Sequence, residues 1–142
     1  MTPFKLYIIF GLLLILIGIV FDFAFVQAKM SNSFRTDPTT YINSFRHQLY
    51  SLTVFYMIVL GFLNIAFALL SRYFTATTNL DWIILGLIFA GSILIIATGI
   101  WYANAGPSFK WETRCTVLTI GLIFTVLGLG MEIYRFFTLK SF

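Results

Sequence analysis

Four stretches of the chain are each long enough and apolar enough to cross a lipid bilayer, and no other feature of the sequence restricts its fold as strongly. Crossing a hydrocarbon core of about 30 Å takes roughly 20 apolar residues in helical form. The stretches run approximately from Phe4 to Phe25, Leu49 to Leu70, Trp82 to Ala103 and Thr116 to Phe136. The second and third contain no charged side chain. The first holds Lys5 and Asp22 near its ends, and the fourth holds Glu132 and Arg135 near one end. Inside lipid every backbone amide needs an internal partner, and continuous apolar runs without dyad alternation meet that need only as helices. The predicted fold is all-α: a polytopic membrane protein, a bundle of four transmembrane helices forming a single domain over residues 1–142.

Composition closes off the alternatives. Charged residues make up 10% of the chain and hydrophobic ones 60%, against about 25% charged in soluble domains. A water-soluble globular protein or a disordered tail is thereby excluded. The net charge of +4 comes from basic residues scattered singly near the ends of the apolar runs. That placement suits anchors to lipid headgroups and gives no basis for nucleic-acid binding. Trp82 at one boundary and Trp101 and Trp111 at the other fit an interfacial aromatic belt, as do Tyr7, Tyr102 and Tyr134.

The first span also resembles a signal peptide, with Lys5 before an apolar stretch and Val26-Gln27-Ala28 after it. Its apolar stretch is longer than the usual 7–15 residues of a signal's core, and Asp22 interrupts its end, so the segment is expected to stay in the fold. The connections run over 26–48, 71–81 and 104–115. In the first, Tyr41, Ile42, Phe45 and Leu49 recur at helical spacing between polar residues, which predicts a short interfacial helix leading into the second span. Thr78-Asn79-Leu80-Asp81 has capping-box spacing before the third run, and Asn104-Ala105-Gly106-Pro107 is a breaker after it.

With an even number of spans the termini share one face. Lys5, Arg72, Arg135 and Lys140 lie there, against Lys29, Arg35, Arg46, Lys110 and Arg114 opposite. So near a balance gives the positive-inside rule no preference, and the N-terminal amine tips the expectation towards cytoplasmic termini.

Helices associate in lipid through small residues and interhelical polar contacts. The first helix offers Gly11 and Gly18, the second Gly61, the third Gly86 and Ala90, and the fourth Gly121 and Gly128, each at helical spacing on a lighter face. These are the expected packing seams. Ionisable or polar groups inside spans are functional candidates by default, which singles out Asp22, Asn64 and Glu132, with Arg46 and His47 at the start of the second span. Asp22 and Glu132 fall at opposite faces of the membrane and cannot form a carboxylate pair. Asn64 is expected to approach Glu132 from a similar depth.

No complete catalytic or cofactor motif is present. The lone His47 cannot supply bis-histidine haem ligation or a three-histidine zinc site, and the single Cys115 lacks a second thiol, so no cofactor is expected. The expectation is a non-enzymatic membrane subunit or scaffold packing against itself as a homo-oligomer or against a larger membrane complex. The alternative is a small transporter or channel using Asp22 and Glu132.

Overall fold

The computed structural model describes residues 2–27, 44–71, 79–106 and 110–139. Helix α1 (Pro3–Phe21) runs without a break into a π-helical segment (Asp22–Gln27), followed by α2 (Phe45–Ser71), α3 (Asn79–Ala105) and α4 (Thr113–Leu139). There is no strand among the described residues. The four helices are each long and apolar enough to cross a membrane, α1 together with its π-helical extension. The chain is an all-α four-helix bundle of the multi-pass membrane type.

Each helix, α1 taken together with its π-helical extension, is longer than its apolar run, by one to four residues at each end. The added residues include Arg46, His47, Asn79, Asp81 and Arg114. Apolarity marks the thickness of the hydrocarbon, whereas backbone hydrogen bonding continues into the headgroup layer. Local signals set the ends. Thr2 is extended and Pro3 occupies the first helical position, where its missing N–H costs nothing. Ser44 caps α2, its hydroxyl accepting the His47 backbone N–H at 3.2 Å. Gly106, at φ 81°, follows the end of α3 and donates its N–H to Tyr102 O at 3.0 Å. Phe45 and Leu49 belong to α2 itself, while Tyr41, Ile42, Thr78 and Pro107 lie outside the described residues.

The π-helical segment changes the phase of α1. Its buried positions Tyr7, Gly11, Leu14 and Gly18 alternate steps of four and three residues, which would bring Phe21 and then Phe25 inward, and Phe21 does pack inward. Phe25 instead is exposed and Val26 is buried. The wider turn absorbs one extra residue, and the Gln27 side-chain amide donates to Asp22 Oδ2 at 2.7 Å across its five-residue step.

Helix α1 packs along α2, and α3 packs along α4; α2 against α3 joins the two pairs, while α1 touches α3 only sparsely. Glycine makes the closest approaches possible. A Cβ built on Gly11 would stand 2.6 Å from Gly61 O, and one on Gly61 would stand 2.7 Å from Gly11 O. Between α3 and α4, a Cβ on Gly121 would meet Leu94 Cβ at 2.9 Å, and one on Gly128 would meet Ile88 Cγ1 at 2.6 Å. Gly18 lies against Met57.

Gly86 departs from the expected pattern, because nothing lies within 4 Å of the Cβ it lacks. Ala90 is only half-buried. The inner face of α3 is set by Ile84, Ile88, Gly91, Ser92, Ile95 and Thr98, and Gly86 is turned about 200° from Ile84. Gly91 takes the seam position instead, against Thr125 of α4. Two apolar clusters mark the ends of the bundle: Tyr7, Ala68, Ile84, Leu85 and Ile88 at one, and Val26, Tyr50, Val54 and Ala103 at the other.

Candidate functional site

Three helices bring ionisable groups together at the end of the bundle where α1 begins. Arg135 of α4 forms an ion pair with Asp81 in the first turn of α3, and its guanidinium lies 3.9 Å from Glu132, one turn earlier on its own helix. The three residues are each 5% exposed, so the cluster is enclosed by protein. The i,i+3 step places Glu132 and Arg135 on one face of α4, and that face meets the start of α3. Tyr7 of α1 is 2% exposed and lies within electrostatic reach of Glu132, Asp81 and Arg135. Its hydroxyl has no hydrogen-bond partner among the described residues.

That hydroxyl leads to a prediction of unusual sign. A buried polar group without a partner carries an unreturned desolvation cost. Tyr7→Phe is therefore expected to raise stability, by about 1 kcal/mol, read as a higher unfolding midpoint in detergent. A fall in the midpoint would mean that the hydroxyl holds an ordered water.

The polar side chains at membrane depth turn back onto their own helices. Asn64 is fully buried and donates to Leu60 O at 2.7 Å. Thr53 donates to Leu49 O, Ser92 to Ile88 O, Thr98 to Leu94 O and Thr125 to Gly121 O, each four residues back. The Asn64 amide thus donates within α2, while its Oδ1 has no hydrogen-bond partner among the described residues.

At the opposite end, Asp22 sits in the π-helical segment, half-buried and bonded by Gln27. Asp22 and Glu132 thus stand at opposite ends of the bundle. Arg46 crosses from α2 to the end of α3, its Nε donating to Ala103 O at 3.1 Å and its Nη2 to Asn104 O at 3.4 Å. Carbonyls at a helix C-terminus have no intrahelical donors, and a cation suits them. Tyr50 reinforces the crossing with a hydroxyl bond to Asn104 Oδ1 at 2.7 Å. His47 is half-buried beside Arg46 in the first turn of α2. Nearby, Arg114 lies over the Tyr102 ring, 4.6 Å from its centroid, and is paired with Glu112 at 2.6 Å. The Tyr102 hydroxyl contacts Cys115 Sγ at 2.6 Å.

In the sequence Glu132 stands among the candidates, whereas Asp81 falls in a connection and Arg135 is only a charge near a span end. The signal that links two of them is the three-residue step from Glu132 to Arg135. Nothing in the spacing ties Asp81 to them, because that pairing depends on the register of α3 against α4. No group of three or more metal-ligating residues occurs among the described residues. No protein-family model matches the chain, and neither a curated protein nor a solved structure matches it.

Proposed function

We propose that the protein is a non-enzymatic integral membrane subunit or scaffold that associates with itself or with a larger membrane complex. The observation that carries this reading is the inward turn of its polar groups: the hydroxyls and the amide at membrane depth bond to carbonyls of their own helices. Groups bonded in this way are not arranged to pass an ion or a polar substrate along the bundle. The grooves between helices are correspondingly apolar, such as the one lined by Phe10, Leu13, Ile17, Phe89, Ile93 and Ile100.

The seams within the bundle occupy Gly11, Gly18, Gly61, Gly121 and Gly128. Outside those seams, Gly86, Ala90 and Ala97 share one face of α3 and offer a small-residue stripe for association. Native mass spectrometry after gentle extraction is expected to retain a second copy or a further subunit, and Gly86→Leu is expected to release it while the bundle stays folded. A wild-type chain that emerges as a lone monomer would sink this reading.

A second reading, a small transporter using Asp22 and Glu132, is favoured by the enclosed Asp81–Arg135–Glu132 cluster. It requires Glu132→Gln and Asp22→Asn to abolish flux in reconstituted vesicles while expression is kept.

A further inference from the structure

A second groove differs from the others in its surroundings. It lies where α2, α3 and α4 meet, is lined by Leu49, Tyr56, Gly99, Tyr102, Leu118 and Leu122, and has a volume of about 170 Å³. Three helices wall it, and its lining is almost wholly apolar. Its Tyr102 end carries two arginines, Arg46 from α2 and Arg114 from α4.

The two arginines are not equivalent. Arg114 is paired with Glu112. Arg46 is exposed, and both of its hydrogen bonds go to neutral carbonyls, those of Ala103 and Asn104, the residues that follow Tyr102. No carboxylate among the described residues neutralises it. The groove therefore joins an apolar slot at membrane depth to a positive charge at the headgroup level that no carboxylate of the described residues compensates, with remaining guanidinium N–H groups to donate. A basic rim between transmembrane helices favours the phosphate of an anionic lipid, and a guanidinium is well suited to phosphate oxygens.

We propose that this groove is a binding site for one anionic phospholipid, with an acyl chain between α2 and α4 and the phosphate against Arg46. A transmembrane helix of a partner is a poorer occupant, because close helix approach needs small residues and Tyr56, Leu118 and Leu122 stand at the groove walls. The site is independent of the association proposed above and would hold for a chain with no protein partner.

The test uses the full chain in mixed micelles holding phosphatidylglycerol and phosphatidylcholine with the same acyl chains in equal amounts, with bound lipid counted by native mass spectrometry. The wild type is expected to retain one phosphatidylglycerol about fivefold over phosphatidylcholine, the ratio corresponding to about 1 kcal/mol for a single basic side chain near the surface. Arg46→Gln is expected to equalise the two lipids, and Arg46→Lys to keep the preference. Leu118→Trp, which fills the slot, is expected to lower retention of both. Equal retention by the wild type would overturn the proposal, as would a preference that survives in Arg46→Gln or disappears in Arg46→Lys. Unchanged retention in Leu118→Trp would remove the acyl chain from the groove and overturn it equally.

Discussion

Arg135→Met is expected to destabilise the protein by about 3–5 kcal/mol, because it removes the cation from between two enclosed carboxylates and leaves them facing each other. Asp81 and Glu132 approach Arg135 from two helices, so the loss falls on the docking of α3 against α4. Methionine keeps the length and apolar bulk of the side chain, which confines the effect to charge. The measurement is the unfolding midpoint in detergent, followed by helicity and by the width of the size-exclusion peak. Asp81→Asn combined with Arg135→Gln is expected to recover part of the loss, since a pair in contact is not additive. A midpoint for Arg135→Met within about 1 kcal/mol of wild type would show that the guanidinium does not hold the cluster together.

The second large effect is steric. At Gly61 an added Cβ would stand 2.7 Å from the Gly11 carbonyl oxygen and 2.6 Å from Ile15 Cγ1. The first of these is backbone and cannot rotate away. Gly61→Val is expected to cost about 3 kcal/mol, the upper part of the range for overpacking a tight interior, and to part α1 from α2. Gly130→Val on α4 is the control, because nothing lies within 4 Å of its missing Cβ. Its effect is expected to stay within about 0.5 kcal/mol apart from the difference in helix propensity. Similar losses at both positions would refute the close α1–α2 approach.

The features legible in the sequence and those hidden from it divide along a physical line. Four helices are legible because lipid forces apolar residues into runs of a fixed length, and a run is visible without knowing what packs against it. The glycine seams of α1, α2 and α4 are legible for a related reason: Gly11, Gly18, Gly61, Gly121 and Gly128 occur at helical spacing, and the structure places each against a neighbouring helix. The third helix shows where this reasoning stops. It carries small residues on two faces, and only its contacts with α2 and α4 decide that Gly91 faces inward and Gly86 outward.

The polar site is legible to a similar extent. Glu132 stands out as an acid inside an apolar run, but its relation to Asp81 spans most of α3 and of α4 in sequence and arises only from tertiary register. Arg46 is visible as a charge at the start of a span, whereas its use as a cap for the end of α3 depends on the crossing of α2 and α3.

The π-helical segment bears on how this chain can tolerate changes in length. A residue added to a straight transmembrane helix turns everything beyond it by about 100° and carries the protein-facing side round towards the lipid. In α1 the additional residue is stored within a single wide turn, between Asp22 and Gln27, and the rotation is spent before Val26 reaches α2. Loss of one residue from that turn would restore an ordinary helix, with the seam at Gly11 and Gly18 undisturbed and Val26 still directed inward. Loss of one residue between Gly11 and Gly18 has no such reserve, since it would swing one glycine out of line with the other. The first span thus holds a place where its length can change and a stretch where it cannot.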